Sequence, residues 1–409
     1  ILRLNELIED YAPNFRAYLD ENPDVEKMIT TDEGNIYSFP FIRGDDFLMV
    51  FKGPMIRNDW LEKLDLEVPS TIDEWEEVMT TIKENDPNGN GEQDEIPLLL
   101  ELADIKDYGA FASAWGISPW FYNDNGTVKF GSIEPEFKEF LTTMSRWYEL
   151  GLLDQDFAAI DSKLRDAKVT SEQLGALYSY TGSGIGKFTG LMEDENPDFQ
   201  LHATPHPSLN PGEKASLGQI DHPYNGTVAA AVSGSADNPE EIVKWLDYAY
   251  SDEGHMLFNF GIEGVSYEMI DGYPTYSEEI MDNPEGLPVT QAMGKYMRAS
   301  YDGPFVQDRR YMEQYAELPQ QKDAIETWAE SAENNIKMPP ITMTAEENEE
   351  YASIMSDLET YYDEMVTRFI MAEEPVEGGF EDFVATLEGM GIQRAIELQQ
   401  HALDRYNAR

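Results

Sequence analysis

The sequence contains no cysteine. That excludes a disulfide framework, a thiolate metal site and a cysteine nucleophile. Positive charge is scarce: 28 Lys and Arg stand against 80 Asp and Glu, a formal net charge of −52 in 409 residues. Such a surface repels phosphate backbones and anionic lipids, which argues against nucleic acid as a partner. No apolar run approaches the roughly 20 residues that a membrane helix needs. The chain opens on Ile1 with no basic-then-apolar leader, so the expectation is a processed or truncated product whose targeting signal has gone. Histidine is sparse too, at five residues. His202 and His206 have i, i+4 spacing, but the prolines of "LHATPHPSLNP" argue against the helix a zinc pair would need.

What remains is ample for a globular fold. Hydrophobic residues make up 41% and aromatics 12% of the chain, so it builds cores despite its charge. Its length exceeds what one compact core accommodates and predicts two domains or three. Leu4, Leu7, Ile8 and Tyr11 fall at helical spacing, and "GNIYSFPF" and "DDFLMVF" read as strands. Thr71 and Glu74 form a capping-box pair before a stripe of Ile72, Trp75, Met79 and Ile82. "IPLLL", "GALYSY" and "GTVAAAVS" read as strands, and "EPEFKEFLTTMSRWYELGLL" as a helix ending at Gly151. Asn238 and Pro239 start another helix, and Thr344 with Glu347 caps a long one near the C-terminus. Trp75, Trp147 and Trp245 lie in helical stripes and are expected in the core. Strands alternate with helices through most of the chain, which predicts α/β lobes followed by a helical tail.

One stretch carries a metal signal, "DPNGNGEQDEIP" at residues 86–97. A calcium loop presents oxygen ligands at alternate positions and turns sharply on a glycine at position six. Counting Asp86 as the first position, Asn88, Asn90, Glu92 and Asp94 follow at alternate positions, and Gly91 is sixth. Position seven donates its backbone carbonyl, so the Glu92 side chain matters little. Pro97 occupies position twelve, where a bidentate glutamate usually sits, and Glu95 is the available replacement. The competing reading is a solvated turn, since Asn-Gly pairs form turns without metal.

Catalytic constellations are weak. With this many carboxylates, pairs suited to acid–base work arise by chance and are no evidence for a glycosidase. The glycine-rich "TGSGIG" lacks the Lys-Ser/Thr of a phosphate loop and reads as a turn from strand into helix. The aromatics are better placed. Tyr178 and Tyr180 lie two apart on "LYSY" and so share one face of a strand running into that turn, and Trp115 and Trp120 flank "GISP". Such rings suit the weakly polar faces of sugars, although taken one by one each is more often explained by burial in a core.

Several phrases together resemble a known family. "RNDWLEKLDL", "PSTIDEW" and "DPNGNGEQDEIP" stand in order, followed by "GIEGVSYE", "MTAEENEE", "RFIMAEE" and "GMGIQRAIELQQHALDRY". They resemble the family 1 extracellular solute-binding proteins of carbohydrate ABC importers, in the lipoprotein-type subgroup of the alginate-oligosaccharide-binding proteins, and the likeness spans the whole chain. The resemblance implies an α/β fold of two lobes, periplasmic-binding-protein-like of type II, with a hinge and a helical C-terminal segment. The start of the N-terminal lobe is missing from this chain by that comparison. The expected parts are residues 1–47 in the N-terminal lobe, 48–222 in the C-terminal lobe with the calcium loop, 223–300 returning to the N-terminal lobe, and 301–409 as helices packing on both. The resemblance also implies a structural Ca2+ held by Asp86, Asn88, Asn90, the Glu92 carbonyl, Asp94 and Glu95, away from the sugar.

Ligands in such folds sit at strand ends and interlobe crossings. The first crossing is expected near residues 43–51 and the return near 219–227. That points to Arg43 and Asp46, with Asp221, His222 and Tyr224 at the return, as hydrogen-bonding groups. Tyr178 and Tyr180 are the expected stacking rings, then Tyr108 and Trp115. The implied function is the non-enzymatic capture of an oligosaccharide for delivery to the permease subunits of an importer. The net charge favours a neutral sugar over a uronate, although a basic group such as Arg43 could reverse that locally. The implied setting is extracellular, on a cell-surface lipoprotein or in a periplasm, as a monomer that meets the membrane only through a lipid anchor absent from this chain. Two rivals from other classes stand beside this reading: a calcium-containing extracellular enzyme acting on glycosides, and a calcium-dependent adhesion module. Turnover of an oligosaccharide marks the first, and calcium-linked binding without a small-molecule cleft marks the second.

Overall fold

The chain builds its two main sheets by leaving one, completing the other, and coming back. The computed structural model describes residues 1–287, 289–299 and 303–409. In the first sheet the strand Phe39–Arg43 is central, antiparallel to Tyr224–Ala230 and parallel to the short strand Val306–Gln307. Between the first two of these the chain forms a second sheet, in the order Ile96–Leu99, Leu174–Tyr180, Lys52–Arg57, Leu201–Ala203. The pair Ile96–Leu99 and Leu174–Tyr180 is parallel, and the other two pairings are antiparallel. The result is two α/β lobes.

Alternation along the strands of the second sheet sorts side chains to its two faces. Ile56, Leu98, Ala176 and Tyr178 enter one core with Trp60, Trp75, Phe111 and Trp147. Their neighbours Met55, Leu99 and Leu177 enter the other, with Phe188, Phe260 and Trp328. The first core is closed by the C-terminal helices Ala345–Ile370, Val376–Met390 and Ile392–Ala408, which supply Leu358, Tyr362, Phe369, Phe383 and Leu403. The first sheet has its own core of Leu4, Ile8, Phe15 and Leu19 against Phe39, Ile42 and Val243. Trp328 lies against the second sheet, where its indole N–H donates to the Pro54 carbonyl at 3.0 Å. A Cβ at Gly53 would collide with that indole, so glycine is what permits the contact. The expected boundary between residues 300 and 301 lies outside the described residues.

Local punctuation sets the helix ends. Both capping boxes form: Thr71 with Glu74 starts Ile72–Glu84, and Thr344 with Glu347 starts the 26-residue helix Ala345–Ile370. Asn238 occupies the N-cap of Pro239–Asp247, yet its side chain makes no cap hydrogen bond. Gly391, in the left-handed region at φ +102°, separates the last two helices.

Two expectations are corrected. "DDFLMVF" is not a strand: the Asp45 carboxylate accepts from the Phe47 N–H at 2.9 Å, winding Asp46–Leu48 into a short 3-10 turn before the strand begins at Lys52. Trp245 is not core. The helix Pro239–Asp247 turns Val243 and Leu246 inward and leaves Trp245 74% exposed. Among the described residues no helix is long and apolar enough to cross a membrane.

Candidate functional site at the lobe crossing

Arg43 ends the central strand of the first sheet, and Lys52 opens a central strand of the second. The segment between them is fastened to the returning segment around residues 219–223. Arg43 donates from its backbone to the Pro223 carbonyl at 2.8 Å, from Nε to Asp221 Oδ2 at 2.9 Å, and from Nη1 to Gln307 Oε1 at 3.3 Å. The Asp221 N–H donates to the Met49 carbonyl at 2.8 Å. Buried Gln219 accepts on Oε1 from the N–H groups of Phe51 and Lys52, at 2.7 and 3.1 Å, and donates to the Met49 carbonyl at 3.0 Å. Arg43 and Asp221 are thus brought together as the sequence suggested, across 178 positions.

An aromatic group extends from this junction. Strand register places Lys52 opposite Tyr180 and Pro54 opposite Tyr178, so one face carries the lysine and both tyrosines. The Arg43 guanidinium lies 4.7 Å from the Phe51 ring centre. Phe51 and Tyr180 are parallel within 2°, with centres 5.9 Å apart. The Lys52 ammonium then lies 4.6 Å from Tyr180, 4.9 Å from Tyr108 and 5.6 Å from Tyr178. Each cation is held over the electron-rich face of an aromatic, with the Phe51 and Tyr180 rings stacked between the two. Lys52 donates to Oδ1 of Asp104, which is 1% exposed. Burial raises the Asp104 carboxyl to about 6, against the opposing pull of the Lys52 ammonium. Burial and the adjoining Tyr180 hydroxyl raise the Tyr108 phenol in the same way.

The other expected ligand groups are distributed around this centre. Tyr180 is open, with 37% of its surface exposed, but Tyr178 is 2% exposed, packed between Tyr108 at 6.4 Å and His206 at 6.1 Å. Tyr178 therefore backs Tyr108 and presents no open ring of its own. Trp115 is half-buried against Phe140, within the large core. Asp46 lines a separate hollow with Phe47, Arg309 and Glu326. Tyr224 leans on the core of the first lobe. His222 hydrogen-bonds the Met338 carbonyl at 2.9 Å and borders a hollow of about 470 Å3 with Asp221, Asn123, Lys337 and Tyr406. Burial lowers both His222 and His206, the latter to about 4. Lys52, Phe51, Asp104 and Gln219 were not anticipated from the sequence. Lys52 carried one usable signal, a charge at the head of the strand beside the expected crossing. Gln219 carried none.

The loop at residues 86–95 lies apart, at the junction of the helix Ile72–Glu84 and the strand Ile96–Leu99. The Asp86 carboxylate accepts from the N–H groups of Gly89, Asn90 and Gly91 at 2.7, 3.1 and 2.9 Å. Asn88 and Asn90 close the next turns by accepting from the N–H groups of Asn90 and Glu92. Asp94 accepts from Asn88, Asn90 and Gln173, which holds it below the usual carboxylate range, with Gln173 the main cause. Among the described residues no three Asp, Glu, His or Cys side chains are grouped to hold a metal. The ligands expected from the sequence include the amides of Asn88 and Asn90 and the Glu92 backbone carbonyl besides carboxylates. Glu95 bears on this: it is buried, and neither carboxylate oxygen has a hydrogen-bond partner of ordinary geometry. Burial, with the charges of Asp94 and Asp86, raises its carboxyl. A buried carboxylate left without donors fits a cation-binding role.

Residues 3–256 match the family model for bacterial extracellular solute-binding proteins. The chain is 26% identical over 432 residues to the fructooligosaccharide ABC transporter substrate-binding protein FusA of Streptococcus pneumoniae serotype 4, covering 100% of this chain and 76% of that protein. A structure of a FusA EF-hand mutant in complex with fructo-nystose has the same fold, with a TM-score of 0.75 at 24% identity over 100% of this chain and 84% of that one. The alginate-binding protein AlgQ2, in a structure without calcium ion, aligns with a TM-score of 0.80 and 26% identity over 98% of this chain and 81% of that one. The lipoprotein LipO of Bacillus subtilis strain 168 is 26% identical over 277 residues, 66% of this chain and 54% of that protein.

Proposed function

The chain belongs to the family of bacterial extracellular solute-binding proteins, and from that premise we propose that it is the substrate-binding component of an ABC importer, holding an oligosaccharide between its lobes for delivery to the permease. The observation that carries this reading is the aromatic and polar group where the two segments cross, from Arg43 and Asp221 to Tyr180 and Lys52. Rings and fixed hydrogen-bond partners side by side suit a ligand with apolar faces edged by hydroxyls. Tyr180 and Phe51 serve as stacking surfaces, Arg43 and Asp221 as hydrogen-bonding groups, and Tyr108 as a second ring. His222 and Tyr224 shape the hinge side; Trp115 and Asp46 lie at the margin. Hinge closure of the lobes encloses the sugar, and no bond is made or broken.

In the same proposal the loop at residues 86–95 holds a structural Ca2+ through Asp86, Asn88, Asn90, the Glu92 carbonyl, Asp94 and Glu95. Partner-free Glu95 supports this, as do relatives whose structures are described by an EF-hand or by the absence of calcium. The working form is an extracellular monomer attached to the membrane by a lipid anchor, as the name of LipO supports. The lobe boundaries expected from the sequence stand as part of the proposal.

Calorimetric titration of the full chain against a glycan panel, followed by chromatography of the recovered sugars, tests the reading. The expected result is saturable binding of at least one oligosaccharide, recovered intact. Cleavage would favour an enzyme, and binding to no glycan would sink the proposal.

A further inference from the structure

The cations at the crossing are already engaged with carboxylates. Arg43 is paired with Asp221, and Lys52 with buried Asp104. Lys106, on the helix that carries Asp104 and Tyr108, pairs with Asp363 at 3.2 Å. Lys337, half-buried in the hollow beside His222, also feels the Asp221 charge. Asp107 adds a carboxylate close to Lys52 and Tyr108. At the ring ladder itself, then, the two cations Arg43 and Lys52 each already hold a carboxylate, Asp221 and Asp104. A ligand carboxylate entering here would either break an existing ion pair or lie unpaired beside carboxylates, and both are costly in a partly desolvated site. A sugar hydroxyl does neither, because it donates to a carboxylate oxygen without displacing the cation.

We infer that this cleft selects uncharged oligosaccharides over uronates, and that Asp104 and Asp221 set the selection by neutralising Lys52 and Arg43. The inference rests on the function proposed above and narrows its substrate class. Asp104 is a positioning residue here, since it acts through the cation it holds, whereas Asp221 both holds Arg43 and offers an oxygen to a sugar hydroxyl.

The test titrates the full chain with fructotetraose, xylotetraose and mannotetraose, and with tetragalacturonate and tetramannuronate, at low salt and at about 0.5 M salt, where the field of the acidic surface is screened. The expected result is that at least one neutral sugar binds about thirtyfold or more tighter than either uronate at both salt concentrations. Equal or tighter uronate binding overturns the inference and leaves the function standing, whereas binding of neither class overturns the function itself. A preference that vanishes at high salt assigns it to the overall −52 charge and overturns the role of the two pairs. Asp104→Asn and Asp221→Asn each free a cation, and each is expected to shrink the neutral-to-uronate ratio about tenfold by gaining uronate affinity. Equal loss of both sugar classes would mean that the carboxylates only hold the structure, and would overturn their role. Asp221 is the more exposed of the two, so D221N carries this comparison if D104N does not fold.

Discussion

Tyr180 ends its strand with 37% of its surface exposed, its ring parallel to Phe51 and lying over the Lys52 ammonium, while Tyr178 two positions earlier is sealed. Tyr180→Ala is therefore expected to weaken oligosaccharide binding about tenfold or more, with little effect on the melting temperature. Calorimetry and thermal unfolding of the same variant check both halves. Unchanged affinity would remove Tyr180 from the site. Asp104 gives a second expectation through its proton. Burial raises its folded carboxyl to about 6, above the ordinary aspartate range, so the native state holds a proton more firmly than the unfolded chain does. The stability this contributes is fully present below the unfolded value and is lost as pH rises through the folded one. The stability of the wild type relative to Asp104→Asn should accordingly fall as pH rises from about 4 to about 7. A difference that stays flat or grows over that range would contradict the burial-driven shift.

Among elements, the loop at residues 86–95 and the strand Lys52–Arg57 show two kinds of constraint. The loop is tied to its surroundings by Gln173 and by the Lys63 ammonium, which donates to the Pro87 carbonyl at 2.7 Å. Chelation of Ca2+ should lower the melting temperature while altering oligosaccharide affinity far less, because no part of the loop touches the ring ladder. Asp86→Ala should abolish the chelator's effect, measured by differential scanning calorimetry with and without added calcium. A chelator-insensitive melting temperature in the wild type would rule out the structural ion. The strand is constrained by packing. Gly53→Ala would drive a methyl into the Trp328 indole and is expected to cost about 1–3 kcal/mol, read from denaturant unfolding. The loop was legible in the sequence because its donors lie within ten consecutive positions and its turns close locally. The Gly53–Trp328 contact was not, since 275 positions separate the two residues and nothing local to either announces the other.

For the whole molecule, two lobes joined by crossing segments imply that ligand capture is coupled to their relative arrangement. A saturating oligosaccharide should raise the melting temperature by linkage, equivalent to about 2.7 kcal/mol at a hundred times Kd. It should also reduce the radius of gyration in solution scattering. Thermal stabilisation without contraction would favour binding to a single lobe. The charge distribution belongs to this scale as well. A net −52 describes the surface, but the crossing holds cations and carboxylates in matched pairs, so the local field differs from the overall one.

Composition and local spacing alone determined a good deal: a globular α/β chain without cysteine chemistry, its capped helices, the strand carrying Tyr178 and Tyr180, and a loop with calcium-loop spacing. Each of these depends on residues a few positions apart, where chain geometry permits few arrangements. Tertiary structure decided the rest. It sealed Tyr178 and opened Tyr180, exposed Trp245, wound "DDFLMVF" into a turn, and set Lys52 on Asp104 beneath the rings. Those outcomes depend on which distant segments meet, and the pairing of a lysine with an aspartate 52 positions away leaves no periodic trace along the chain.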